Sequence, residues 1–311
     1  MTITVLIPTY RRPIDLCRCL DALKQQATPA QEIIVIARNN DLETSDFLRT
    51  YQRDLLPLRV VMTTTPGQVA ALNAGLSNAR CEIVAITDDD AAPRPDWLQR
   101  IVALFQSDPQ VGAVGGRDWV HHGDWMEPDT RRVVGIVRWF GKVIGNHHLG
   151  VGPPREVELL KGANMSFRRT AIGNSRFDER LRGEGAEYSN DMAFSLSVTK
   201  SGWKVIYDPE VAVDHYEAPR FDLDQRGRFN ALALRHIVHN ETMILLEYLS
   251  AVRRGAYLVW TLLVGTWVAP GVLQALRLCF RKNSHAAMRW KATVLGRFDG
   301  MVTYCRNPKR N

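Results

Sequence analysis

The segment Ile86 to Leu98, ITDDDAAPRPDWL, sets three carboxylates, Asp88, Asp89 and Asp90, side by side at the end of an apolar run. Neighbouring like charges repel. Such a triplet is either a solvated turn ahead of a helix starting near Pro95 or a cluster gathered by a divalent cation. A second group, Pro8-Thr9-Tyr10-Arg11-Arg12, follows the first apolar run and carries a basic pair. Further along, GEGAEYSNDMAFSL offers Glu184, Glu187 and Asp191, and VAVDHY offers His215. Carboxylates and imidazole are the groups that ligate cations and move protons.

The elements that must position these groups are legible as periodicity. Ile3–Ile7, Glu32–Ala37, Leu58–Met62 and Ile83–Ile86 read as strands that are almost wholly apolar. Between them, Ile14–Gln26 places Leu16, Leu20 and Leu23 at helical spacing, and Val69–Ala79 does the same with alanines and leucines. Apolar strands alternating with helices predict an α/β fold with a mostly parallel sheet covered on both faces. Ligands of such sheets bind at the carboxyl ends of the strands. Pro8–Arg11 and Asp88–Asp90 both fall there, so they share one rim. On that rim a cation bridging to a diphosphate accounts for the triplet better than a solvated turn. Asp88 and Asp90, two residues apart, lie on one side of an extended segment, and hard oxygen donors suit Mg²⁺ or Mn²⁺.

Four ordered motifs, VLIPTYRRP (Val5–Pro13), TDDDAAPRPDWL, LKGANMSFRR (Leu160–Arg169) and GWKVIYDPEVAVDHY (Gly202–Tyr216), resemble family 2 glycosyltransferases of the GT-A fold. The resemblance runs from residue 3 to about residue 216. It implies an inverting transferase that takes a sugar from a nucleotide-diphosphate donor with the help of Mg²⁺ or Mn²⁺. By position, Asp88 and Asp90 are similar to the family's DxD pair, with His215 as a third metal ligand. Pro8, Thr9, Arg11, Asp41, Asn73, Asp88 and Asp89 make up the implied donor side. The family's Glu-Asp pair, which provides the catalytic base, falls on Asn190-Asp191. Asp191 keeps the carboxylate and Asn190 departs from the pattern, with Glu184 and Glu187 as rivals. Trp119, Gly162, Asn164, Glu187 and Asn190 are the implied acceptor contacts. Leu72 stands where the family often has an Arg at the donor.

The middle of the chain, Trp119–Gly152, is rich in Trp and His and reads as an acceptor loop; its adjacent histidines cannot both face one metal on a regular element. Residues 226–311 carry 14 Lys/Arg against 3 Asp/Glu, or +11. The whole-chain charge of +7 therefore leaves −4 for residues 1–225, and a nucleic-acid partner is not expected. Within the tail, Gly255–Leu276 is 22 residues without a charge. Arginines flank it on both sides and Pro270-Gly271 interrupts it. A segment that dips into one leaflet or lies in the interface fits better than a crossing. Five cysteines without ligand spacing read as reduced thiols, and the N-terminal residues lack the order of a secretory signal.

The expectation is a GT-A catalytic domain over 1–225, with a nucleotide-sugar half (1–115) and an acceptor half (116–225). A basic, apolar helical region over 226–311 would follow, held at the cytoplasmic face of the cell membrane. The acceptor would be lipid-linked or a growing polysaccharide. A sugar nucleotidyltransferase, or an inactive glycan-binding module on the same fold, are the alternatives; the first would release pyrophosphate and the second nothing.

Overall fold

The computed structural model describes all residues except 52–55, 124, 127–128, 222, 224, 226–227, 282–284 and 307–311. In chain order the elements are β1 (Ile3–Pro8), α1 (Pro13–Lys24), β2 (Glu32–Arg38), α2 (Leu42–Thr50), β3 (Leu58–Thr63), α3 (Gln68–Asn78), β4 (Ile83–Ile86), β5 (Ala91–Pro93) and α4 (Trp97–Ser107). Next come β6 (Val111–His122), β7 (Trp125–Met126), β8 (Ile136–Val137), β9 (Val143–Ile144), β10 (Arg155–Glu156), β11 (Met165–Arg168), α5 (Arg169–Ile172), α6 (Asn190–Lys200) and β12 (Lys204–Tyr216). Four helices close the chain: α7 (Ala231–Tyr248), α8 (Ala251–Leu263), α9 (Val272–Phe280) and α10 (Ala286–Arg306).

The chain divides into two compact units. Met1–Ile136, Ile144–Phe177 and Phe194–Ala218 form the first; Val137–Val143, Asp178–Ala193 and Pro219–Asn311 form the second. The sequence suggests a single boundary after residue 225, whereas the first unit ends at Ala218 and two internal segments join the second unit. Spatial proximity between segments far apart in the sequence draws that border, and periodicity does not report it.

In the first unit one sheet runs β10-β12-β6-β11-β4-β1-β2-β3, with β5 added to β12 and β7 to β6. The β4-β1-β2-β3 half is parallel throughout. β11 is antiparallel to both β4 and β6, which restores β6 and β12 to the direction of β1 and β4. Both faces of the parallel half are covered, as the apolar strands require. On one face Ile3, Val5, Ile7, Ile33 and Val35 pack with Leu16 and Leu20 of α1 and with Trp97 and Phe105 of α4. On the other, α3 comes so close at Gly75 that a Cβ there would lie 3.0 Å from Ile36 and 3.1 Å from Leu6. α1 starts with Pro13, which lacks the N–H that a first helical residue leaves unpaired, and α2 is capped by Asp41 accepting from the Thr44 N–H.

Lys204–Tyr207 and Val211–Val213 read separately in the sequence, but they are one 13-residue strand. Its register against β6 slips between Asp208 and Val213, and the bulge presses the Val211 carbonyl onto β6 at Gly116, where a Cβ would sit 1.9 Å from that oxygen. Asn164 fastens the same region from within. At 1% exposure it accepts from Trp97 Nε1 (2.8 Å) and donates to the Val211 carbonyl (2.7 Å). Asn164, expected among the acceptor contacts, thus has its amide engaged within the core.

In the second unit α7 and α10 pack backbone to backbone. A Cβ at Gly296 would lie 2.6 Å from the Arg235 carbonyl, and one at Gly300 would lie 2.6 Å from that of His239. Asn240, fully buried on α7, accepts from the Arg182 N–H and donates to the Arg182 and Tyr188 carbonyls, so it holds the loop leading to Asp191. The uncharged run Gly255–Leu276 is broken between α8 and α9 by a turn closed through Gly265 and Pro270. Among the described residues no helix is long and apolar enough to cross a membrane.

Replacing Asn164 by Ala strands the buried Trp97 N–H and Val211 carbonyl. Urea unfolding is expected to show a loss of about 2–3 kcal/mol, with nucleotide affinity of the folded protein retained. A stability loss below about 0.5 kcal/mol would contradict the core role.

Candidate active site

The site is built on the carboxyl ends of β1, β4 and β12, three strands of one direction. β4 delivers Asp88–Asp90, β1 delivers Thr9 and Arg12, and β12 ends with His215. Thr87, just before the triplet, donates to the Ala163 carbonyl at 3.0 Å and ties the turn Lys161–Asn164, which carries Gly162, to the same edge.

The three aspartates do not act alike. Asp89 is 3% exposed; its carboxylate accepts from Thr9 Oγ1 (2.8 Å) and from Arg12 Nη1 (3.0 Å). Both oxygens of Asp89 therefore engage the protein, and the residue pins the loop after β1. Asp88 and Asp90 are gathered instead with His215, one ligating atom from each lying within 4.8 Å of the others. Asp90 Oδ1 is 3.2 Å from His215 Nε2, and its Oδ2 accepts from the Ala218 N–H at 3.1 Å. Gln68 approaches Asp88 at 3.5 Å.

Electrostatics separate them further. Burial pushes the Asp88 and Asp89 carboxyls up, and the charge of Asp90 adds to both. Burial acts upward on Asp90 as well, but its hydrogen bond to His215 and the charges of His215 and Arg12 outweigh it and hold the group down. Burial lowers His215, and contacts with Asp118 and Asp90 reverse this and raise it to about 9. Such a set is short of positive charge. Two carboxylate oxygens and an imidazole nitrogen at this spacing fit Mg²⁺ or Mn²⁺, whose charge would offset the repulsion that raises Asp88.

Behind His215 stands Asp118, fully buried, with Oδ2 paired to Lys161 and 3.6 Å from His215 Nδ1. Asp118 was not singled out from the sequence. The available signal was an acid within the otherwise buried strand VGAVGGRDWV. Arg12 is likewise the member of the basic pair that meets the carboxylates. The Arg11 side chain lies over Tyr10, while its N–H donates to Asp41 at 2.6 Å. Asp41, 1% exposed and expected on the donor side, engages its carboxylate with that N–H and in capping α2. Asn73 is also taken up: its amide exchanges two hydrogen bonds with the backbone of Phe177 (3.0 and 2.8 Å). Pro8 closes β1.

Of the expected acceptor residues, Trp119 lies on β6 two residues from Arg117, whose guanidinium stacks 3.6 Å from its ring. His147 of the middle segment is buried with Nε2 2.9 Å from the Leu159 carbonyl. Glu187, Asn190 and Asp191 belong to the second unit. There Asp191 sits in the first turn of α6 and accepts from the Met192 N–H at 2.8 Å, Asn190 donates to the Glu187 carbonyl at 2.9 Å, and Glu184 is exposed.

Known proteins share this arrangement of sequence and fold. The chain is 24% identical over 233 residues to the glucosyl-dolichyl phosphate glucuronosyltransferase of Haloferax volcanii, covering 69% of each chain. It is 31% identical over 192 residues to the chondroitin synthase of Escherichia coli, covering 57% of this chain but 28% of that one. Its fold is similar to that of S. aureus TarS 1-349 in complex with UDP-GlcNAc (TM-score 0.61, 14% identity, 100% of this chain and 93% of that one). It is also similar to a Pyrobaculum calidifontis mannosyltransferase in complex with GDP-Man and Mn²⁺ (TM-score 0.54, 19% identity, 97% and 86%). Residues 4–172, more than half of the chain, match the model of glycosyl transferase family 2. The chain belongs to that family and is a glycosyltransferase of the GT-A fold.

Proposed function

We propose that the protein is an inverting transferase moving a sugar from a nucleotide-diphosphate-sugar to a hydroxyl of a lipid-linked or growing polysaccharide acceptor, at the cytoplasmic face of a membrane. The observation that carries the metal-assisted half of this reading is the convergence of Asp88, Asp90 and His215 at the carboxyl edge of the sheet. Relatives support the class of substrate: TarS binds UDP-GlcNAc and the Pyrobaculum enzyme binds GDP-Man with Mn²⁺.

In this mechanism Asp88, Asp90 and His215 would hold Mg²⁺ or Mn²⁺, which would supply charge neutralisation to the leaving diphosphate. Asp89, braced by Thr9 and Arg12, fixes the β1 loop against the triplet, so the ligands are set before the donor arrives. Asp191 takes the proton from the acceptor hydroxyl as its oxygen attacks the anomeric carbon and the bond to the diphosphate breaks.

Three measurements check this reading. In a donor-binding titration, Asp90→Ala is expected to lose metal-dependent affinity, as chelation does to the unaltered protein; an undiminished metal response would exclude the ligand set. Asp191→Asn should keep donor affinity and lower turnover about 10²-fold or more. If Glu184→Gln or Glu187→Gln has that effect instead, the base is misassigned. Turnover should release a nucleoside diphosphate; pyrophosphate would indicate nucleotidyl transfer, and no product a binding module.

A further inference from the structure

The last three helices of the second unit turn large apolar side chains outward. A helix on a water-soluble protein buries its apolar stripe and shows its polar one. α8 does the reverse: Val259, Leu262 and Leu263 face outward, whereas Tyr257 and Thr261 are the residues it buries. On α9, Leu273, Leu276 and Phe280 are exposed, Phe280 at 86%. On α10, Val294 and Phe298 are exposed while Thr293, Gly296 and Gly300 are buried. The turn between α8 and α9 adds Trp267, with the Arg281 guanidinium 5.4 Å from its ring.

The charge of this region is as one-sided as its exposure. Between Glu247 and Asp299 the sequence has eight Lys/Arg and no Asp or Glu. Lys282, one of the eight, lies outside the described residues. Outward apolar side chains, an exposed Trp and basic residues with no acid among them match the two layers of an anionic bilayer: acyl chains for the first, headgroups for the second. A protein partner would explain the apolar surface but gives no reason for 51 residues without an acid. Depth is bounded by length and charge. At 1.5 Å per residue the nine residues of α9 span about 14 Å, and the 13 of α8 about 20 Å, against about 30 Å of hydrocarbon. The 21 residues of α10 would span about 32 Å, but Arg289, Lys291, Arg297 and Asp299 interrupt it, and it is not apolar enough to cross.

We propose that the outward faces of α8, α9 and α10 form a single-leaflet docking surface for an anionic lipid bilayer, with the apolar side chains entering the leaflet and the arginines on its headgroups. The surface extends beyond the uncharged run Gly255–Leu276 to Phe280 and α10. The inference deepens the membrane part of the proposed function and rests on it, while being independent of the sugar chemistry.

The test is flotation of the full chain with vesicles of phosphatidylcholine alone and of phosphatidylcholine with phosphatidylglycerol. Light scattering on vesicle-free protein and donor-dependent release of nucleoside diphosphate are measured on the same samples. The full chain should float with the anionic vesicles and much less with the neutral ones. Leu273→Gln with Phe280→Gln, both solvent-facing, should lower binding to anionic vesicles at least tenfold. Arg277→Gln with Arg281→Gln should lower it about 30-fold and abolish the preference for phosphatidylglycerol, since each basic residue near such a surface contributes roughly fivefold. Nucleoside diphosphate release in solution should be unchanged in both variants. Absence of flotation by a monomeric full chain would overturn the docking surface. So would a vesicle-independent dimer that the Leu273/Phe280 variant dissolves, which would make this face an interface between copies. If flotation holds and no nucleoside diphosphate is formed, the transferase reading fails and the docking surface stands.

Discussion

Holding three consecutive carboxylates together, Asp89 and Asp90 buried and Asp88 half-buried, is the constraint round which the first unit is arranged. Two unit charges 4 Å apart at an effective dielectric of 20 interact by about 4 kcal/mol, so the triplet can be kept inside only if each member has its own counterpart. Asp89 has Arg12 and Thr9, and Asp90 has His215 and the Ala218 N–H. Among the described residues the Asp88 carboxylate accepts only a long hydrogen bond, from Gln68. The residue least provided for by the protein is thus the one that a cation would serve most, and the proposed metal supplies the counterpart that the side chains do not.

Several features remote from the triplet exist to bring those counterparts into place. β12 must reach past β6 to present His215, and its bulge is accommodated only because residue 116 has no side chain. Asn164 and Trp97 hold the crossing from below, and Asp118 backs His215 while Lys161 offsets its charge. The Asp41 carboxylate does two jobs at once, capping α2 and fixing the Arg11 N–H in a loop whose φ of 57° is left-handed. That loop then sends Arg12 to the carboxylates. Removal of any one of these polar braces leaves a buried group unpaired, so the site and the stability of its sheet edge are coupled.

The second unit follows another logic. Its interior mixes an apolar cluster of Leu234, Val238, Ala269 and Ala292 with polar groups: His239, Asn240, Thr242 and Thr293 are buried at α7 and α10, and Asn240 is occupied with the loop that carries the chain to Asp191. Arg180 braces the start of that loop between Asp178 and Glu247. Large apolar side chains on the exposed faces of α8, α9 and α10 are what a surface bathed in lipid requires, and they agree with the proposed bilayer surface.

The sequence by itself determined the parallel half of the sheet, its helices and the shared rim, because uniform apolar strands and helical spacing report burial directly. The positions of Ile3–Pro8, Glu32–Arg38, Leu58–Thr63 and Ile83–Ile86 agree with that periodicity to within a residue. It also placed Asp88, Asp90 and His215 in one group, through motif order over more than a hundred residues. Only tertiary structure decided which polar residues were free for chemistry. Asp41, Asn73, Asp89 and Asn164 are chemically able to meet a ligand, yet each is engaged by a backbone or side chain distant in sequence. The physical reason is that a buried polar atom takes whatever partner the fold brings to it. Partners such as Phe177 for Asn73 and Arg12 for Asp89 lie 104 and 77 residues away, beyond the reach of any local pattern.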